Sequence, residues 1–161
     1  MSKPLVVILM GSKADVEHCK KISDACKSFG LETVLRIGSA HKTPEHAVSI
    51  LKQYEADACP KVYITVAGRS NALSGFTDGF VSAPVIACPP PSESFGGADI
   101  YSSLRMPSGI APAVVLEPFN AALLAAKILG LVDESVREQV RVRQKRAAEK
   151  ILEDDVALKG D

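Results

Sequence analysis

The sequence predicts an α/β protein: a three-layer α/β/α arrangement around a doubly wound parallel sheet, with one long helix appended at the C-terminal end. Three observations carry that prediction. Apolar runs alternate with helical patterns along the chain, as in successive strand–helix units. The first run, "PLVVILM", is apolar throughout, as a strand covered on both faces must be. From residue 133 onward the chain turns densely charged while keeping helical spacing.

Each element has its own local reason. After the first strand comes "SKADVEHCKKISDACKSFG", where Val16, Cys19, Ile22, Cys26 and Phe29 recur at helical intervals and Gly30 supplies a stop. "LETVLRI" is the second strand. Thr43 as N-cap and Pro44 at the first helical position open a second helix, whose apolar face carries Ala47, Val48, Leu51 and Tyr54. "KVYITVA" is the third strand, followed by a loop, "GRSNALSG", and a short helix. "APVIAC" is the fourth strand, ended by Pro89, Pro90 and Pro91. "SESFGG" reads as a loop, and "ADIYSSLRM" as a helix that stops before Pro107. "APAVVL" is the fifth strand. Pro118 opens the helix "PFNAALLAAKIL", which Gly130 closes. Strands joined this way require right-handed crossovers.

The final helix begins with Asp133 as N-cap. Its basic residues (Arg137, Arg141, Arg143, Lys145, Arg146, Lys150) interleave with Glu134, Glu138, Glu149, Glu153, Asp154 and Asp155, which argues against a nucleic-acid arm. Val136, Val140, Ala147, Ile151 and Leu158 form a sparse apolar stripe. Such a helix is expected to pack against its own domain or a neighbouring subunit, and residues 133–158 are assigned to assembly.

The chain of 161 residues fits one domain, 1–161, with no internal repeat or linker. Apolar residues make up 47% and charged residues 24%, and the formal net charge is zero, so nothing pulls the molecule toward nucleic acid or an anionic membrane. The opening "MSKPLVVILMGSK" has no signal-peptide pattern, and "PFNAALLAAKILGLV" falls short of the roughly 20 apolar residues that span a bilayer; a cytoplasmic location is expected. Four cysteines, none in a CxxC or Cys/His ligand spacing, are expected to be buried reduced thiols, with no metal site.

In an open α/β sheet, ligands bind outside the carboxyl ends of the strands. Four loops converge there: "MGSKAD", "GSAHKTP", "AGRSNALSG" and "CPPPSESFGG". Ser12 and the amides after it either hold a phosphate or simply start a helix. Asp15 either takes ribose hydroxyls or favours the helix dipole, and Lys42 either pairs with phosphate or stays solvated. Neither GxGxxG nor GxxxxGK[ST] is present, which excludes the dinucleotide and P-loop readings. Histidine ordinarily titrates near pH 6.5, so a histidine at a strand's carboxyl end suits proton transfer. His41 holds that position. His18 and His46 lie inside helical segments, where solvated or local capping roles are expected.

Residues alone lead to a phosphate-bearing small molecule and an acid–base histidine. The stretches "VVILMGSKAD", "SAHKTPE", "VAGRSNALSG", "PVIACPP" and "SSLRMPSGI", in this order over residues 5 to about 130, resemble the PurE family of purine biosynthesis. The resemblance implies a flavodoxin-like fold and interconversion of 5-aminoimidazole ribonucleotide with its 4-carboxy derivative, without metal, biotin or other cofactor. It implies His41 as the catalytic residue and Ser12, Asp15, Ser39, Lys42, Gly68, Arg69 and Ser70 as substrate-binding residues. It also implies that Ser39 and Ala40 shape a carbon dioxide pocket, and that the chain forms a homo-oligomer, tetramer or octamer.

The family has two branches. The one that rearranges the N5-carboxy isomer carries a loop like "AGGAAHLPG"; here the loop is "AGRSNALSG", with Ala72 at the histidine position. Arg69, Ser70 and Asn71 resemble the branch that uses carbon dioxide directly, as does the domain fused to a ligase in animals. Ala14 departs from the family's "GSxSD", which removes one hydroxyl from the first loop. The N5-carboxyaminoimidazole mutase is the competing reading within the family. A non-catalytic flavodoxin-like nucleotide-binding module is the competing reading outside it.

Overall fold

The structure, a computed structural model, describes residues 3–159; the ends of the expected 1–161 domain, residues 1–2 and 160–161, lie outside the described residues. Five parallel strands, β1 (Leu5–Met10), β2 (Glu32–Ile37), β3 (Lys61–Val66), β4 (Val85–Ala87) and β5 (Ala113–Val114), lie in the order β2-β1-β3-β4-β5. That is the flavodoxin-like order, and its topological switch point falls between β1 and β3. Six α-helices follow the same alternation: α1 (Val16–Ser28), α2 (Pro44–Glu55), α3 (Ala72–Asp78), α4 (Tyr101–Leu104), α5 (Pro118–Leu129) and α6 (Glu134–Lys159).

The period of two along β1 divides the core between two faces. Val6, Ile8 and Met10 join Cys19, Ile22, Cys26 and the alanines of α5 in one cluster. Val7 and Leu9 face the other way, with Ile50, Leu51, Tyr63 and Leu73. Burying a side chain of this kind contributes about 1.5–3 kcal/mol, so the strand bearing both sets anchors the sheet. β1 is accordingly flanked by full-length partners on both sides, with Leu9 in register with Arg36 and Thr65.

Several local expectations need correction. Helix α3 already begins at Ala72, inside the stretch read as a loop, because Asn71 caps it by accepting from Ser74 N at 3.1 Å. The expected helix over "ADIYSSLRM" shrinks to one α-helical turn, preceded by a 3-10 stretch, Ser94–Ile100, in which Phe95, Gly96 and Gly97 have positive φ. Strand β5 keeps only Ala113 and Val114 of the expected "APAVVL". It is a sheet edge paired on one side, and Pro112 has no N–H to extend the ladder. Ile50, absent from the expected face of α2, is buried, whereas Val48 and Tyr54 are only partly covered.

All four cysteines are free and buried, as expected. Burial pushes the thiols of Cys19, Cys26 and Cys88 up to about 12, which keeps them protonated and unreactive at neutral pH. Asp133 caps α6 by accepting from Ser135 N at 2.9 Å and Val136 N at 3.2 Å. Only Val136 and Val140 of the α6 stripe are buried; Ala147, Ile151 and Leu158 are exposed. Among the described residues no helix is long and apolar enough to cross a membrane.

Candidate functional site

A cleft of about 810 Å³ opens at the carboxyl ends of the strands, over the switch point. The loops after β1, β2, β3 and β4 each contribute to its wall. It brings together Ser12, Asp15, Ser39, His41, Lys42, Gly68, Arg69 and Ser70. A separate cavity of about 530 Å³ on the α1–α5 side, lined by His18, Phe119 and Arg143, contains none of these residues.

The first loop is held from within. Gly11 N donates to Val66 O at 3.0 Å, tying the end of β1 to the end of β3. Asp15 Oδ2 then accepts from Ser12 N at 3.2 Å and from Ser12 Oγ at 3.1 Å. The carboxylate therefore fixes the serine, and both side chains stay at the cleft wall.

The second loop carries His41, and its shape depends on close approach. Gly38 N donates to Met10 O at 3.0 Å, and a Cβ on Gly38 would lie 3.2 Å from Ile50 Cδ1 and 3.3 Å from Ala47 Cα. Glycine thus lets the chain pass against α2 before it turns into the cleft. Thr43 is the N-cap residue of α2, as expected, but its Oγ1 accepts from Ser39 N at 3.0 Å and makes no bond to the helix. Ser39 Oγ accepts from Lys42 N at 3.1 Å, and Thr43 N donates to Ser39 O at 3.0 Å. His41 and Lys42 stand on the crest of this closed turn, both exposed to the cleft.

The third loop is strained. Arg69 has φ 61°, a left-handed conformation that costs a non-glycine residue about 1–2 kcal/mol. Its N–H donates to Asp99 Oδ2 at 3.0 Å. Two residues on, Asn71 N donates to Ser102 Oγ at 2.9 Å and Asn71 Nδ2 to Ser103 Oγ at 2.9 Å. Asn71 is 3% exposed and its side-chain amide is engaged within the protein through both Nδ2 and Oδ1, so Arg69 and Ser70 are the polar side chains of this loop at the cleft. Among the described residues neither Arg69 nor Lys42 has a salt-bridge partner, which leaves both cations available to an anionic ligand.

Sequence reasoning placed the fourth loop here but did not single out Ser92, Glu93 and Ser94, which line the cleft opposite His41's loop. The run of prolines before them was the available signal, since it ends the strand at the cleft rim. Asp99 is not singled out by the sequence, and Ser102 and Ser103 enter only within the stretch "SSLRMPSGI", with no role assigned. Their partners lie 30 to 32 residues away in sequence, and no local pattern announces such pairs. His46 is exposed on α2, as expected. His18 is half-buried rather than fully solvated. Its Nε2 lies 3.4 Å from Cys88 Sγ, and burial lowers its pKa from the usual 6.5.

A flavodoxin-like parallel sheet with a polar, cation-bearing cleft at its switch point defines a small-molecule-binding α/β protein. The AIR carboxylase family model matches residues 5–150. Phosphoribosylaminoimidazole carboxylase of Treponema denticola is 64% identical over 157 residues, which cover 98% of this chain and 99% of that protein. The crystal structure of Treponema denticola PurE superposes with a TM-score of 0.96, covering 98% of this chain and 99% of that one at 64% identity. The human bifunctional phosphoribosylaminoimidazole carboxylase/phosphoribosylaminoimidazole succinocarboxamide synthetase is 46% identical over 136 residues; the match spans 84% of this chain and 32% of the human protein. The chain belongs to the AIR carboxylase family, the PurE family of purine biosynthesis.

Proposed function

We propose that this chain carboxylates 5-aminoimidazole ribonucleotide reversibly with dissolved carbon dioxide, giving the 4-carboxy derivative. The observation that carries the reading is the cleft itself: His41, an anion-binding set and the Arg69-Ser70 loop face one space over the switch point. The names of the relatives support carboxylase chemistry, and Ala72 supports the direct use of carbon dioxide, because it stands where the mutase branch has histidine.

The chemistry follows from the substrate. The exocyclic amine pushes electron density into the imidazole ring and makes C4 nucleophilic. Held against carbon dioxide, C4 forms the new C–C bond while one C=O electron pair moves onto oxygen as carboxylate. C4 then bears both hydrogen and carboxylate, and the ring has lost its aromaticity. His41 accepts that proton, the C–H electron pair returns to the ring, and aromaticity is restored. In reverse His41 delivers the proton and carbon dioxide leaves. No metal or biotin is needed, because the substrate's own amine activates the nucleophile.

Ser12, Asp15 and Lys42 hold the phosphoribosyl group. Ser39 and Ala40 shape the carbon dioxide pocket, and Gly68, Arg69 and Ser70 stabilise the developing carboxylate. A symmetric homo-oligomer, tetramer or octamer, covers the exposed stripe of α6. The functional test supplies each substrate separately, without ATP. Aminoimidazole ribonucleotide with bicarbonate is expected to turn over. Conversion of the N5-carboxy isomer faster than its spontaneous decay releases carbon dioxide would assign the mutase reaction instead.

A further inference from the structure

The third loop owes its shape to a segment that contributes no group to the chemistry described above. Arg69 is one of two non-glycine residues with positive φ among the described residues, and a side chain in that conformation needs an external hold. A third cavity of about 340 Å³ adjoins the cleft, bounded by Gly68, Pro90, Asp99 and Ser103. Hydrogen bonds to residues 99–103 hold the loop beside it. Asp99 Oδ2 takes the Arg69 N–H at 3.0 Å, Ser102 Oγ takes the backbone N–H of Asn71 at 2.9 Å, and Ser103 Oγ accepts from Asn71 Nδ2 at 2.9 Å. Asp99 is tied in turn, because Ser102 Oγ donates to Asp99 O at 2.7 Å. Below this segment, Met106 Sδ would lie 2.9 Å from a Cβ on Gly75, so the Met106 side chain packs directly on the backbone of α3.

We infer that Asp99 is a positioning residue for the proposed carboxylation: its carboxylate holds Arg69 in the left-handed conformation that sends the guanidinium and Ser70 into the cleft. The inference rests on the functional reading for what the loop does, and on geometry alone for how the loop is held. Without the acceptor, the Arg69 backbone relaxes toward negative φ and the side chain leaves its place beside the reacting carboxyl group. The ribonucleotide's phosphate, bound across the cleft, is untouched. The loss therefore falls on turnover rather than on substrate affinity.

The test compares Asp99→Ala, which removes the acceptor, with Asp99→Asn, which keeps an amide oxygen. Amide hydrogen exchange at Arg69, read by NMR on the unliganded protein, should speed up about 10-fold or more in D99A and stay near the parent rate in D99N. Turnover should fall about 10-fold or more in D99A, with the apparent KM for aminoimidazole ribonucleotide changed less than about 3-fold, and D99N should recover most of it. On an Arg69→Gly background, where glycine adopts the left-handed backbone unaided, adding D99A should change turnover less than about 2-fold. Unchanged exchange at Arg69 in D99A, or equal losses in D99A and D99N, would overturn the inference. Should D99A not fold, parent-like exchange at Arg69 in Ser102→Ala/Ser103→Ala would overturn the proposed latch. A parent protein that turns over neither substrate refutes the functional reading, and the exchange comparison still decides how the loop is held.

Discussion

At the scale of single residues, the roles proposed for the two neighbours on the second loop, His41 and Lys42, separate binding from chemistry. Lys42 is exposed to the cleft and has no salt-bridge partner among the described residues, and the proposed reaction gives it the phosphate, which does not change. Lys42→Ala should therefore raise KM more than it lowers kcat. His41 is assigned the proton that moves. His41→Asn keeps size and some hydrogen bonding but carries no proton, so substrate affinity should hold while turnover falls about 100-fold or more, the scale of a general acid–base group. Decarboxylation of the carboxylated product at near the parent rate in that variant would reduce His41 to a turn residue. His18 makes a different prediction, one about stability. Burial lowers its pKa in the folded state below the usual 6.5, so in the window between the two values the unfolded chain binds more protons. Stability should consequently rise with pH through that window and fall on acidification. Chemical denaturation from pH 7 to 5 should show the loss, and His18→Asn should flatten it.

At the scale of elements, legibility followed the range of the interactions. β1 and α1 are legible because their signals are local: an unbroken apolar run, and Cys19, Ile22 and Cys26 at helical spacing, all fully buried. The start of α3 was not legible. Asn71 could be read as a loop residue or as a cap, and what decides is Ser103, 32 residues further on. Phe95 hides a similar choice: a left-handed phenylalanine followed by two left-handed glycines makes an irregular 3-10 stretch that no periodicity predicts. Ser12, Asp15, His41 and Lys42 are legible from their place after strand ends, whereas Ser39, Gly68, Arg69 and Ser70 rest on the resemblance to the PurE family. The role of the segment behind the third loop was not legible, because it acts through hydrogen bonds to residues about 30 positions away in sequence. Helix α6 yields the prediction at this scale. Residues 143–159 are exposed throughout, with Ile151, Leu152, Val156 and Leu158 each more than 60% exposed, so they add little to the chain's own core. Removing them should leave the fold intact and weaken the oligomer. Light scattering at micromolar concentration checks this, and a monomeric parent would contradict the assembly role.

At the scale of the whole molecule, the sheet order explains why one cleft gathers four loops. Strands β1 and β3 are neighbours whose following helices go to opposite faces, so their carboxyl ends leave a crevice between them. The first and third loops line it directly, while the second and fourth reach in from the flanking strands. What the molecule does in that space reduces to one question: whether the carboxyl group passes through dissolved carbon dioxide. The direct measurement incubates the protein with the 4-carboxy ribonucleotide and ¹³C-labelled carbon dioxide at equilibrium, then follows label in the product's carboxylate. Direct carboxylation predicts that label enters at a rate comparable to turnover, and that His41→Asn slows its entry by about 100-fold. Interconversion with the N5-carboxy isomer without entry of label would contradict the account.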